Sequence, residues 1–346
     1  MIVSGFEGTC LNSRTEKLIN EQGIGGLILF ERNYENPKQL KSLIDDLQSL
    51  TAQNSPPLFI SVDQEGGRVA RLKEPFTQFP PMCCLGEANS DDLAYRFGIA
   101  MGKEMKAVGI NMDYSPVLDV HSNPENPIIG KRAISTNPEV VARLGCKIIQ
   151  GFKDAGTFPV GKHFPGHGDT SQDSHLTLPR VERSKESLEK MELVPFAQAF
   201  QEGLDIIMTA HVVYPAWDEN SAATFSKYIL NDILRKKMTF QGLVMSDDLE
   251  MQAVTQTPEE LPALAINAGV DLFLICHDLD KVTRLQDAMI DGIETGKIPH
   301  KTVDNSFNRI MKSKEKLITD EDEMDLEPIL EENQKLAEEM RSYLTE

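Results

Sequence analysis

The sequence is short of cysteine and of positive charge, and it has no long apolar run. Its five cysteines, Cys10, Cys83, Cys84, Cys146 and Cys276, are odd in number and lack zinc-type spacing in a chain of 346 residues. That pattern argues against a disulfide framework and fits a reducing compartment. Lysine and arginine together number 35 against 54 acidic residues, for a formal net charge of −19. Such a surplus repels phosphate backbones and anionic bilayers, so neither nucleic acid nor a membrane is expected as a partner. No apolar stretch approaches the roughly 20 residues of a membrane span, and the opening MIVSGFEGTCLNS has neither a basic n-region nor a long apolar h-region. A cytoplasmic protein is the expectation. Internal repeats, low-complexity tracts and a second core-sized domain are also missing.

What the chain does have is alternation. Short β-rich apolar runs fall at residues 2–6, 25–30, 58–62, 110–118, 158–162, 205–210, 242–246 and 270–275, with helical patterns between them. Strands that alternate with helices make a parallel sheet wrapped in helices, and eight such units close a (β/α)₈ barrel. The fold class is therefore α/β, a single TIM-type barrel over residues 1–318. Asn36-Pro37 and Asn137-Pro138 are helix starts, each placing a capping side chain before a proline at the first helical position. Further helices are expected after Ser90, Ser184 and Ser226 and over 279–296 and 301–318. Residues 319–327, TDEDEMDLE, read as an acidic linker. Beyond it Ile329, Leu330, Leu336, Met340, Tyr343 and Leu344 form an amphipathic stripe. The segment 319–346 is thus expected to be a linker and a C-terminal helix packed on the barrel.

Barrel enzymes hold their catalytic groups at the carboxyl ends of the strands. In this sequence those positions carry Glu7, Glu31 with Arg32, Asp63, Asp119 with His121, Lys162 with His163, His211, Asp247 with Asp248, and His277. In SVDQEGGRVARL a tight turn at Gly66-Gly67 returns Arg68 and Arg71 toward Asp63. A carboxylate beside a guanidinium forms an ion pair or grips adjacent sugar hydroxyls, and spacing leaves both readings open. In GLVMSDDLEM the adjacent Asp247 and Asp248 fit a nucleophile, a metal ligand or a cap; two acids allow one to cap while the other reacts.

The densest stretch is residues 157–179, TFPVGKHFPGHGDTSQDSHLTLP, which holds three of the seven histidines. Glycines at 161, 166 and 168 make it an irregular loop leaving a strand, suited to closing over a ligand. In Asp173-Ser174-His175 the carboxylate can fix one imidazole nitrogen while the other meets a substrate, which is a general acid/base unit. A metal site is the rival use of His163, His167, Asp169, Asp173 and His175, but their order matches no tight ligand spacing.

Together GGLILFERN, FISVDQEGGRVARL, NMDYSPVLDV, KHFPGHGDTSQDSHLTLP, MTAHVVYP, GLVMSDDLEM and AGVDLFLICHD resemble glycoside hydrolase family 3, and within it the bacterial β-N-acetylglucosaminidases. The resemblance implies a retaining exo-enzyme that removes terminal β-linked N-acetylglucosamine through a covalent glycosyl-enzyme. It places the nucleophile on Asp247 and the acid/base on His175, oriented by Asp173. Substrate binding falls on Asp63, Arg71, Arg132, Lys162 and His163. No cofactor and no metal are implied. The substrates would be N-acetylglucosamine-containing muropeptide fragments derived from peptidoglycan.

Most retaining glycosidases pair two carboxyl groups; a histidine in place of one adds no second negative charge beside the nucleophile. Phosphorolysis, or a broader β-glucosidase activity on the same site, is therefore the alternative. NPENPIIGKRAI departs from the family's usual approach to the arginine, which makes Arg132 the least secure of the binding positions. His167, Asp169 and Asp248 are left without a role.

Overall fold

A computed structural model of the chain describes residues 1–51, 56–171, 178–317 and 324–344. Eight parallel strands close a barrel: β1 (Ile2–Ser4), β2 (Gly26–Leu29), β3 (Phe59–Val62), β4 (Met112–Asp113), β5 (Phe158–Phe164), β6 (Ile206–Thr209), β7 (Leu243–Asp248) and β8 (Leu272–Ile275). Each strand pairs with its neighbours in sequence, and β1 closes the ring by pairing Val3 with Gly26 on one side and Ile2 with Phe273 on the other. All eight expected runs are barrel strands. The run over 110–118 is the least regular, with ladder pairing confined to Met112 and Asp113 and a single further bridge from Val117 to Lys162. Pro116 stands between them and has no N–H to give to a ladder.

The alternation of side chains along each strand builds two apolar layers. Val3, Ile28, Phe59, Met112, Val160, Met208, Met245 and Leu274 fill the barrel interior. Leu27, Leu29, Ile60, Val62, Ile207 and Val244 face the opposite way and pack with the surrounding helices. Inside, Tyr114 is fully buried, and its hydroxyl lies 2.8 Å from Ser61 Oγ, so its polar end is satisfied within the core.

The helix starts form as their sequences direct. Asn36 Oδ1 accepts from the Gln39 N–H at 3.0 Å, and Asn137 Oδ1 from Glu139 at 2.9 Å, each ahead of a proline at the first turn. Ser90 and Ser184 cap the helices Asp91–Ala107 and Lys185–Met191 in the same way. The segment after Ser226 differs: Tyr228–Lys237 winds as a π-helix. After β7, residues 249–260 turn irregularly before the next helix, Leu261–Ala268.

The last helix, Leu326–Arg341, lies against Asp91–Ala107. Leu336, Ala337 and Met340 are buried there, Asn333 donates to Glu104 Oε1 at 2.7 Å, and Arg96 pairs with Glu339 at 2.7 Å. Its apolar stripe is shorter than the sequence pattern suggests, since Tyr343 and Leu344 lie past the helix end and are exposed. No helix among the described residues is long and apolar enough to cross a membrane.

Candidate active site

Polar side chains converge on the carboxyl ends of the strands, around a cavity of about 450 Å³ whose wall includes Asp63, Arg71, Arg132, Lys162, His163 and Asp247. Those are six of the residues singled out from sequence, drawn from the ends of β3, β5 and β7 and from the segments after β3 and β4. The other two, Asp173 and His175, lie outside the described residues. A wider cleft at the opposite end of the barrel, bordered by Asp205 and Gly242 just before β6 and β7, holds none of these groups.

One wall is a buried charge network. Lys162, 2% exposed at its side chain, sits 2.8 Å from Asp63 Oδ1 and 2.5 Å from Glu65 Oε1. Glu65, equally buried, receives a two-pronged bond from Arg132, with Nε and Nη2 both at 2.8 Å. Burial disfavours charge on all three, but the opposite charges outweigh it. Arg132 and Lys162 hold the Glu65 carboxyl well below the usual carboxylate range, and Asp63 and Glu65 hold the Lys162 ammonium above its ordinary value. Of the two readings left open for Asp63 and Arg71, the ion pair is loose, at 3.7 Å; the close cation of Asp63 is Lys162. Arg71 is one-third exposed and lines the cavity, so its donors face the space a ligand would fill.

Glu65 is placed by a hairpin in which Gln64–Gly66 pairs antiparallel with Val69–Ala70. Gly66 and Gly67 turn it with φ of +93° and +59°, and a Cβ at Gly66 would come within 2.6 Å of the Pro80 carbonyl oxygen. Only glycine meets both demands. Gln64 fastens the turn, its Oε1 accepting from the Arg71 N–H at 2.8 Å.

A second network orients the histidines. Asp119, fully buried, accepts from His163 Nδ1 at 2.7 Å, from the His163 N–H at 3.1 Å and from the His167 N–H at 2.7 Å. Burial alone would raise its carboxyl; the His163 ring and the contacts with His167 overcome that and lower it. With Nδ1 engaged, His163 turns its other ring nitrogen away from Asp119. His167 Nδ1 lies 2.9 Å from Thr170 Oγ1, and burial and the neighbouring His163 push its ring down to about 4, so it is neutral at pH 7. Asn126 Nδ2 donates to the carbonyls of His167 and Gly168 at 2.9 and 3.1 Å. Asp169 pairs with Arg183 at 2.5 Å and accepts from Ser122 Oγ at 3.2 Å. Asp169 therefore anchors the root of this loop. Gly168 passes so close to Val120 that a Cβ would sit 1.6 Å from its carbonyl oxygen.

At the end of β7, Asp247 Oδ1 accepts the Asp248 N–H at 2.8 Å. Burial would raise the Asp247 carboxyl, but His163 and His211 outweigh it and keep it below its ordinary value. An ionised carboxylate is the form a nucleophile needs. His211 is buried at the end of β6, with Nδ1 2.8 Å from Thr224 Oγ1 and Nε2 donating to the Asp248 carbonyl at 3.1 Å. Asp248 differs from its neighbour: burial and the carboxylates of Glu250 and Asp247 push it up to about 7. Its Oδ1 accepts from the Glu250 N–H at 3.1 Å, a turn-capping bond.

Residues 5–313 match the family described as the glycosyl hydrolase family 3 N terminal domain. The chain belongs to glycoside hydrolase family 3. Over 308 residues it is 39% identical to the beta-hexosaminidase of Nitrosomonas eutropha, covering 85% of this chain and 86% of that protein. It is 37% identical to beta-hexosaminidase A of Pseudoalteromonas piscicida over 89% of its own length, but spans only 56% of that longer relative. Among solved structures, a family 3 β-N-acetylglucosaminidase from Paenibacillus superposes with a TM-score of 0.93 at 38% identity, covering 99% of this chain and 67% of that one. NagZ of Neisseria gonorrhoeae in complex with N-trifluoroacetyl-D-glucosamine does so with a TM-score of 0.82 at 32% identity, covering 99% and 98%.

Sequence reasoning left four contributors to this family 3 site unassigned. Glu65 sits inside the DQEGG motif, where it looks like one more polar turn residue. Asp119 and His211 follow apolar runs, which flags them as strand-end groups without showing what they hold. Glu250 carries no signal at all: its carboxylate accepts the consecutive N–H groups of Cys276, His277 and Asp278 at 2.7, 2.6 and 2.9 Å. Among the described residues, no three histidine, cysteine, aspartate or glutamate side chains are grouped as a metal ion would require.

Proposed function

We propose that this chain is an exo-acting β-N-acetylglucosaminidase that works with retention, with Asp247 as the nucleophile and His175, oriented by Asp173, as the acid/base. The observation that carries the reading is the state of Asp247: a buried carboxylate that His163 and His211 hold below its ordinary value, in the lining of a cavity that also holds Asp63, Arg71, Arg132, Lys162 and His163. The names of the relatives and the N-trifluoroacetyl-D-glucosamine bound by NagZ support the choice of sugar. Asp63, Arg71, Arg132, Lys162 and His163 would grip the hydroxyls and amide of one terminal residue, carboxylate accepting and cations donating. Asp247 attacks the anomeric carbon as His175 protonates the departing oxygen. Water, deprotonated by the same histidine, then releases the sugar. The substrates proposed are peptidoglycan-derived fragments, and the compartment the cytoplasm. Residues 1–318 form the catalytic unit, and residues 319–346 form a linker and a helix packed on it.

The test is an aryl-glycoside panel of N-acetylglucosaminide, glucoside and N-acetylgalactosaminide, with the anomer of the first product followed by NMR. Turnover of the N-acetylglucosaminide with retention is expected, falling by at least about 10³-fold in Asp247→Ala, which removes the covalent route. In His175→Ala a good leaving group should still depart and a glycosyl-enzyme should accumulate. Inversion, or a labelled residue other than Asp247, would refute the mechanism. Repeating the assay in phosphate and in a non-nucleophilic buffer separates hydrolysis from phosphorolysis.

A further inference from the structure

We propose that Asp248 is a substrate-contacting residue, a neutral carboxylic acid that donates its hydroxyl hydrogen bond to an oxygen of the bound glycoside beside the Asp247 nucleophile. The inference rests on the cavity being a glycoside site, and it adds a contact beside the nucleophile from a side chain not yet given a role in binding.

The cavity has two unlike walls. Asp63, Lys162, Arg71 and Arg132 charge one of them, whereas Met251, Leu274 and Cys276 from the ends of β7 and β8 line the other, together with Asp248 and His277. A sugar presents hydroxyls around its ring, so this wall too needs polar groups, and Asp248 and His277 are the ones it carries. Asp248 stands where that wall meets the nucleophile. The wall is also rigid. Glu250 clasps the end of β8 through three consecutive N–H groups, and Arg32 donates to the Cys276 carbonyl at 2.6 Å and lies 3.0 Å from His277 Nδ1. His211 Nε2 on the Asp248 carbonyl and Lys281 Nζ, 2.6 Å from the Leu249 carbonyl, fix the Asp248 backbone from two further elements. A donor held this way needs little reorganisation when ligand arrives.

The charged and titratable groups around it explain why it would keep its proton. Asp247 and Glu250 flank it on its own strand end, Cys276 and His277 come from β8, His211 from β6 and Arg32 from beyond β2. Burial and the carboxylates of Glu250 and Asp247 outweigh the Glu250 N–H and the Cys276 thiol, which favour its charged form, whereas His163 and His211 lower Asp247. Adjacent carboxyls with environments that drive them apart take different jobs, one anionic and one acidic. With its carboxyl near 7, Asp248 is a donor below neutrality and loses that capacity above it.

The experiment is calorimetric titration of N-acetylglucosamine into His175→Ala protein at pH 6 and pH 8, so that the loop histidine contributes nothing, with Asp248→Asn and Asp248→Ala added in turn. If only the protonated form binds, the Kd of the His175→Ala parent rises about tenfold between the two pH values, following the competent fraction. Asp248→Asn, which donates at any pH, should bind within about threefold of the parent at pH 6 and show no Asp248-dependent weakening at pH 8. Asp248→Ala should bind about tenfold more weakly at pH 6 with its fold intact by circular dichroism, the loss of about one good hydrogen bond. Tight binding by Asp248→Ala, or an unchanged pH dependence in Asp248→Asn, would overturn the inference and leave the enzymatic reading intact. Failure of wild-type protein to bind N-acetylglucosamine or to turn over its aryl glycoside would overturn both.

Discussion

Replacing Glu65 with glutamine keeps the shape of the side chain and removes the charge that holds Lys162 and Arg132 together. In the native protein its two oxygens receive both prongs of Arg132 at 2.8 Å and the Lys162 ammonium at 2.5 Å. Glutamine can accept at one atom only, and its amide would point N–H groups at a cation. Lys162 would keep Asp63, but Arg132, with a side chain only 11% exposed, would lose its carboxylate partner. Breaking a buried pair from one side costs about 3–5 kcal/mol, because the remaining charge stays desolvated. A chain of this length loses on the order of 0.7 kcal/mol of stability per degree near its midpoint, from about 2.1 cal/mol/K per residue, so Tm at pH 7 should fall by roughly 4–7 °C. The sign of the pH dependence is also set. The folded-state value of Glu65 is depressed, so its contribution is complete above the unfolded value and declines as pH falls toward the folded one. The gap between wild type and Glu65→Gln should therefore be full at pH 7 and begin to narrow below about pH 4.5. Scanning fluorimetry gives the Tm values, and kinetics on the aryl N-acetylglucosaminide should show KM raised more than kcat is lowered, since the displaced groups are those proposed to hold the sugar. A Tm within about 1 °C of wild type, with KM unchanged, would refute the account of Glu65 as the charge that organises this wall.

Asp119→Asn should lower kcat/KM by about 10- to 150-fold, the equivalent of a charge-assisted hydrogen bond of about 1.5–3 kcal/mol, because His163 loses its orienting carboxylate; an unchanged value would show that the ring is positioned otherwise. Glu192, buried below the loop root, is pushed up to about 8 by burial and by Asp119 and Asp169, with Arg183 opposing. A raised carboxyl keeps its proton when folded and releases it when unfolded, so native stability falls as pH rises from about 4.5 toward 8. Glu192→Gln should therefore be close to wild type in Tm at pH 5 and several degrees higher at pH 8, from a shift worth at most a few kcal/mol; a Tm difference independent of pH would show that Glu192 does not titrate in this window.

Much of the architecture was legible in the chain because a barrel is a repeating local pattern. Each β-rich run between helices must bury both faces, so it is strongly apolar, and its end is where the apolar residues stop and Asp63, Lys162, His163 or Asp247 begins. Eight such ends are visible without knowing how the chain closes. The irregularities were not. The run over 110–118 pairs as a ladder only at Met112 and Asp113, and the segment between β7 and the next helix turns irregularly while Glu250 reaches across to the N–H groups after β8.

The sequence by itself determined an α/β barrel with polar groups at the strand ends, because period and punctuation are local properties, and its motifs carried the resemblance to family 3. Only the tertiary structure decided which of those groups touch. Glu65 and Arg132 stand 67 residues apart, and nothing near either announces the other. Asp247 and Asp248 are chemically identical neighbours, yet His163 and His211 hold one charged while Glu250 and burial drive the other toward neutrality. Those differences arise from distances across the barrel mouth, which exist only after the eight strands have closed.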